Sequence, residues 1–112
     1  MSHLTTHILD TTLGRPAAGV TIALYGEQAE SWQELARGQT NQDGRIPNLL
    51  PTDDALPVGT YKMKFFTAEY FARLGTATFY PFVEIVFTIS GPEHYHIPLL
   101  LNPFGYTTYR GS

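Results

Sequence analysis

Apolar and polar residues alternate along much of the chain, which is the period of a β-strand with one buried face. The clearest segment is residues 59–66, where Tyr61, Met63 and Phe65 share one face and two lysines share the other. Further strands are predicted over residues 4–10, 20–25, 31–40, 45–49, 84–89, 95–101 and 106–109. Residues 34–36 are equally compatible with a helix. Many short strands at regular spacing favour an all-β sandwich or barrel.

One segment, residues 67–75, has the pattern of a short helix instead. Thr67 is a suitable N-cap, Glu69 lies favourably in the first turn, and Gly75 suits the position after the C-cap. The helix is therefore predicted as an appendage to the strands.

Turn residues separate these elements. Residues 14–16 break the chain after the first strand, and residues 41–44 read Asn-Gln-Asp-Gly, a sequence typical of a tight turn. A loop over residues 51–57 carries Asp53 and Asp54. A chain of 112 residues is expected to form one domain, residues 1–112.

Composition narrows the range of functions. Seven basic against ten acidic residues give a net charge of −3, which argues against nucleic acid as a partner. The charged fraction of 15% is low, as when another subunit covers part of the surface. No cysteine is present, which excludes thiolate chemistry. No apolar run approaches the ~20 residues that span a bilayer, and the N-terminus lacks the features of a secretory signal, so we expect no membrane partner and a cytoplasmic location.

Histidine and arginine supply the candidate chemistry. On a strand, His94 and His96 point to the same face, and a zinc site would need a third ligand such as His7. The alternative is that both are ordinary exposed histidines. Arg45 follows the Asp-Gly turn and is either a solvated side chain or a clamp for an anion or carbonyl group. No nucleophile elbow and no nucleotide-binding motif is present, so a hydrolase built here would activate water.

The C-terminus is aromatic and β-prone to its end. Residues 106–112 read YTTYRGS, whereas frayed tails are usually polar. Such a tail completes a sheet, a subunit contact or a pocket wall.

Several motifs together resemble the 5-hydroxyisourate hydrolase family, the enzymatic relatives of transthyretin. They are LTTHILDTTLGRPA at residues 4–17, TNQDGR at 40–45, FYPFVEI at 79–85 and HYHIPLLLNPFGYTTYRGS at 94–112. The terminal Tyr-Arg-Gly-Ser is highly specific, because hormone-binding transthyretins end differently. The active-site His, Arg and His of the family match His7, Arg45 and His96.

The resemblance implies a transthyretin-like fold of two four-stranded sheets with a short helix after the fifth strand. It implies a homotetramer, a dimer of dimers, with no metal and no organic cofactor. The implied reaction opens the ring of 5-hydroxyisourate at an amide bond and gives 2-oxo-4-hydroxy-4-carboxy-5-ureidoimidazoline, an intermediate of urate breakdown. The implied site residues are His7, Arg45, His96, Tyr109, Arg110, Gly111 and Ser112.

These residue types suit that reaction, which needs a base for water, a donor for the oxyanion and a proton for the departing nitrogen. Which histidine is the base stays open at this point.

Two other classes of function remain. A transthyretin-like carrier needs no base, and a plain interaction domain leaves the polar candidates and the tail unexplained.

Overall fold

The computed structural model describes residues 3–50 and 55–112. Its elements are β1 (Leu4–Asp10), β2 (Arg15–Pro16), β3 (Thr21–Gln28), β4 (Ser31–Gln39), β5 (Gly59–Phe65), α1 (Thr67–Arg73), β6 (Val83–Ile89), β7 (Tyr95–Asn102) and β8 (Gly105–Thr108). The strands form two four-stranded sheets, in the orders β2-β1-β7-β8 and β4-β3-β5-β6. This confirms the predicted all-β sandwich with one short helix after the fifth strand.

The first sheet is built around a parallel pair of strands from opposite ends of the chain. β1 pairs with β7 so that Leu4 is opposite Tyr95 and Asp10 is opposite Leu101. The other pairings of both sheets are antiparallel. Strand β7 therefore brings the C-terminal residues beside the N-terminal strand.

Alternate residues of each strand fill the core between the sheets. In β1 the buried positions are Leu4, Thr6, Ile8 and Asp10, and in β5 they are Tyr61, Met63 and Phe65, as the alternation predicted. Helix α1 closes one end of this core with Tyr70 and Phe71. The Tyr70 hydroxyl donates a hydrogen bond of 2.6 Å to Asp10 Oδ2, which ties the helix to the end of β1.

Helix α1 starts differently from the sequence prediction. The N-cap is Phe66 rather than Thr67, and no side chain caps the first turn. The reason is that Phe66 still donates its N–H to the Thr21 carbonyl at the end of β5, so Thr67 is already helical and buried. The end is as predicted: Gly75 adopts φ +68°, and its N–H and that of Thr76 close the last turn.

Two short segments also differ from the prediction. Residues 45–49 form no strand; only Arg45 makes a bridge, opposite His7. Arg15 and Pro16, in the segment predicted to break the chain, pair with Asp10 and Leu9 respectively as β2. In residues 45–49, Ile46 and Leu49 are apolar because a loop buries them in the core, so the pattern wrongly indicated a strand. The two residues of β2 are too few for alternation to detect. Asp53 and Asp54 lie outside the described residues. Within the described ranges, no helix has the length and apolar character needed to cross a membrane.

Candidate active site

The outer face of the first sheet carries the predicted histidines. Thr5 is opposite His96 in the β1–β7 register, and His7 follows two residues later on the same face. All three side chains are half-buried, while their strand neighbours point into the core. The parallel pairing therefore brings His7 and His96 together from positions 89 residues apart in the sequence.

Arg45 reaches the same face from the other side of β1. It forms an antiparallel bridge with His7, and the Ile8 N–H donates to the Gly44 carbonyl at 2.9 Å. The turn before Arg45 is held by the Asn41 side chain, whose Oδ1 accepts the N–H groups of Asp43 and Arg45. Directly opposed residues project to one side of the sheet with their Cβ atoms about 5 Å apart. Arg45 and His7 are thus cross-strand neighbours.

Gly44 allows this close approach. Its φ of +72° lies in the left-handed region, and a Cβ atom there would be 2.5 Å from the Ile8 carbonyl oxygen. Only glycine satisfies both the conformation and the space. The Asp-Gly turn therefore fixes where Arg45 meets β1.

The C-terminal tail runs along the free side of β7. Gly111 bridges His96 and donates its N–H to the His96 carbonyl at 2.9 Å, in the same antiparallel register as β8. A Cβ on Gly111 would be 2.5 Å from His96 Cδ2. Tyr109 is 58% exposed, and Ser112 follows Gly111 at this bridge. The tail thus borders His96 as an ordered edge segment.

Arg110 points away from the histidines. Its guanidinium lies 4.4 Å from the centre of the Tyr95 ring and 3.7 Å from Glu93 Oε2. Because successive residues of an extended chain alternate in direction, Tyr109 and Gly111 share the face of His96 and Arg110 takes the opposite one. The structure therefore brings Arg45, rather than Arg110, to the two histidines.

His94 joins the cluster through a threonine. Thr5 Oγ1 lies 2.8 Å from His94 Nε2 and 2.8 Å from His96 Nδ1, and the two imidazole rings are nearly parallel with centres 6.4 Å apart. The hydroxyl group is thus the hydrogen-bond partner of one nitrogen in each ring.

Among residues 3–50 and 55–112, no group of three histidine or acidic side chains has the arrangement of a metal site.

The surroundings favour neutral histidines. Burial lowers the pKa of His7 below its ordinary 6.5, and the charge of Arg45 lowers it further, against an opposing effect of Asp43. Burial also lowers the pKa of His96, followed by the charges of Arg45, His94 and His7, while a hydrogen bond with the backbone of Thr5 opposes the fall. Arg45 thus acts on both rings, which makes them bases at neutral pH.

Two cavities lie near the sheets. One of about 330 Å³ opens between β6 and the β7–tail edge, and its walls include Phe87, His96, Tyr109 and Arg110. A larger one of about 500 Å³ lies against β3 and β5, with no histidine or arginine in its described walls. Of these two cavities, the one of about 330 Å³ has a residue of the cluster, His96, in its wall.

Sequence reasoning missed Thr5 as a partner of the histidines. It precedes His7 by two residues, so the strand period alone places both on one face. Its contacts with His94 and His96 depend on the β1–β7 register, which no local pattern reveals.

Comparison with known proteins assigns the chain to a family. The HIUase/Transthyretin family model matches residues 4–111. The chain belongs to this family. It is 49% identical over 114 residues to the 5-hydroxyisourate hydrolase of Mus musculus, covering 99% of this chain and 96% of that protein.

Solved structures of both branches of the family are similar to this chain. The Klebsiella pneumoniae 5-hydroxyisourate hydrolase superposes with a TM-score of 0.86 at 41% identity, covering 100% of this chain and 94% of that one. The transthyretin of Sparus aurata superposes with a TM-score of 0.92 at 35% identity, covering 99% and 97%. The backbone fold alone thus does not distinguish an enzyme from a carrier. The side chains of the site have to make that distinction.

We expect Gly44→Ala to destabilise the protein more than Gly14→Ala. Both glycines have positive φ, but a Cβ at Gly14 meets nothing within 4 Å. Left-handed strain costs alanine about 1–2 kcal/mol, and the forced contact with Ile8 adds roughly 1–3 kcal/mol. Urea denaturation at one protein concentration measures both. Equal losses of unfolding free energy would refute the close approach.

We expect His7 and His96 to titrate below pH 6.5 in NMR spectra of the folded protein. Arg45→Met should raise both pKa values, whereas Arg37→Met, which removes the Glu34 ion pair on the other sheet, should leave them unchanged. Because the unfolded chain binds more protons between the lowered pKa values and 6.5, stability should fall as pH drops through that window. Unchanged histidine pKa values in Arg45→Met would contradict the electrostatic coupling.

Proposed function

We propose that this chain is a 5-hydroxyisourate hydrolase that opens the substrate ring at a cyclic amide bond. The observation that carries the proposal is the convergence of His7, Arg45 and His96 on one sheet face, where burial and the charge of Arg45 lower the pKa values of both histidines. The high identity to named 5-hydroxyisourate hydrolases supports it. A carrier has no need of neutral imidazoles beside a guanidinium.

The proposed reaction adds water across the amide. A neutral histidine takes a proton from water, and the resulting hydroxide adds to the carbonyl carbon. Arg45 is placed to hold the oxyanion that forms. The carbon–nitrogen bond then breaks, and the histidine returns its proton to the departing nitrogen. The product proposed is 2-oxo-4-hydroxy-4-carboxy-5-ureidoimidazoline, and the steps need no metal or organic cofactor.

The tail has a proposed role in binding. Tyr109 shares the face of His96 and offers a ring for a planar heterocycle and a hydroxyl for its edge. Gly111 keeps the chain against His96, and Ser112 offers a hydroxyl next to it. Arg110 is assigned instead to holding the tail, because it contacts Tyr95 and Glu93.

The active unit proposed is a homotetramer, a dimer of dimers. Strands β6 and β8 are the edges of their sheets, and an uncovered edge offers free hydrogen-bonding groups to another chain. Phe104 is 67% exposed, which favours contact with a second copy. Such a copy would also exclude water from the outer face. The cytoplasmic location and the organisation of residues 1–112 as one domain stay predictions.

The direct test is ultraviolet absorbance after urate oxidase makes fresh 5-hydroxyisourate from urate. We expect the protein to speed its decay well beyond the spontaneous rate. We expect His7→Ala, Arg45→Ala and His96→Ala each to lower turnover by about 10²–10⁴-fold, with losses that do not add. Arg37→Ala, on the other sheet, should retain activity. A folded variant of the three with normal turnover would remove that residue from the mechanism.

We expect removal of residues 109–112 to abolish most activity while leaving the oligomer intact. The reason is that the tail borders His96 but packs on the free side of β7. Sedimentation measures the assembly, and the absorbance assay measures turnover. Arg110→Gln, which keeps Tyr109, Gly111 and Ser112, should lose less activity than the truncation. A truncated tetramer with full turnover would make the tail purely structural, and a monomeric full-length protein would contradict the proposed assembly.

A further inference from the structure

We propose that Thr5 and His94 are positioning residues for His96, and that the Thr5 hydroxyl couples the proton positions of the two imidazoles. The inference rests on the proposed hydrolysis for its catalytic meaning, but its geometry stands independently. His94 has no role in the mechanism above, and the resemblance assigned none to Thr5.

The geometry favours linked arrangements. A threonine hydroxyl has one proton to donate and two lone pairs that accept. Oγ1 lies 2.8 Å from both His94 Nε2 and His96 Nδ1, so its proton reaches a ring nitrogen only when one ring donates to it and the other accepts from it. Two donating rings would leave that proton without a ring acceptor. In one arrangement His96 Nδ1–H donates to Thr5, and the Thr5 proton goes to His94 Nε2. In the other arrangement, both hydrogen bonds are reversed.

The two arrangements give His96 different chemistry. When His96 Nδ1 carries the proton, its Nε2 is bare and can take a proton from water. When His94 Nε2 carries the proton, Thr5 donates to His96 Nδ1, and the proton of neutral His96 is on Nε2. Within the linked arrangements, His96 is therefore a competent base while His94 accepts the Thr5 proton. A protonated His94 has protons on both nitrogens and favours the second arrangement, because only His96 can then accept the Thr5 proton.

The same bridge can move a proton. After His96 Nε2 takes a proton from water, the His96 Nδ1 proton passes to Thr5 Oγ1 as the Thr5 proton passes to His94 Nε2. His96 is then neutral with its proton on Nε2, Thr5 is unchanged, and the positive charge resides on His94. Burial and the charge of Arg45 lower the pKa of His96 and so oppose a charge on that ring. The returning proton follows the reverse path.

Strand geometry holds the three groups in place. Thr5 and His96 are register partners on adjacent strands, and half-burial shields their contact from bulk water. The groups around His96 that carry charge or titrate are His7 on β1, Arg45 on the turn, and His94 before β7. The tail adds Tyr109, which shares the face of His96. Of these, His94 is joined to His96 through a single hydroxyl group.

The first experiment reads the ring protons without any substrate. Nitrogen-15 NMR of labelled histidines reports which nitrogen carries the proton during a pH titration. In the native protein and in Thr5→Ser, one of His94 and His96 should protonate first. That step should determine which nitrogen of the other ring carries the proton. In Thr5→Val, which keeps the β-branched shape, this response should disappear. Thr6→Val is the matched control, because its hydroxyl donates to the Ile97 carbonyl at 2.6 Å and touches neither ring.

The second experiment measures catalysis. Thr5→Val should lower kcat by about 10–100-fold, less than the loss of an acid–base group itself, with KM changed little. Thr5→Ser should restore most of the rate. His94→Gln keeps a partner for the hydroxyl but cannot carry the transferred charge, so kcat should fall in this variant too. Thr6→Val should affect stability alone.

The outcomes are distinct. Loss of tautomer coupling in Thr5→Val together with a lower kcat supports the proposal. Coupling that persists in Thr5→Val, or histidines that titrate independently in the native protein, overturns it. If the native protein shows coupling but does not hydrolyse 5-hydroxyisourate, the proposed function fails while the hydrogen-bonded bridge stands. If the coupling is lost and kcat is unchanged, the bridge has no catalytic role and the positioning proposal is wrong.

Discussion

The parallel pairing of β1 with β7 is the constraint on which the rest of the site depends. Parallel neighbours need a long crossover connection, and here nearly the whole chain lies between the two strands. Their register sets Thr5 against His96 and leaves His7 two residues further along the same face. A shift of one residue would turn the polar side chains of β1 toward the core, where Leu4 and Ile8 pack. Burial of these apolar residues therefore fixes the position of the histidines.

Two glycine contacts complete the arrangement from either side. Gly44 lets the turn approach the Ile8 carbonyl, so Arg45 becomes the cross-strand neighbour of His7. Gly111 lets the tail approach His96, so the last residues border the same face. The guanidinium then disfavours a proton on both imidazoles. The fold of a carrier and the fold of a hydrolase are nearly the same, and this electrostatic arrangement is what distinguishes the proposed enzyme.

The sequence was sufficient for much of this architecture. Alternation identified β1 and the buried face of β5, and Gly75 marked the end of α1, because these features depend on local periodicity and backbone conformation. It was not sufficient for β2, for the bridge at Arg45 or for the buried Thr67, which depend on tertiary pairing. His7, Arg45 and His96 were chosen by resemblance, and the register brings them together. The direction of Arg110 and the contacts of Thr5 follow from that register and could not be read from spacing alone.

The pH dependence of kcat/KM for 5-hydroxyisourate tests the central claim most directly. This parameter reports the protonation of the free enzyme, and the account requires a neutral histidine beside Arg45 as the base. The rate should be half-maximal below pH 6.5, the ordinary histidine value, and stay high at neutral pH. A rate that rises on acidification, or an acid limb centred above 6.5, would contradict the account.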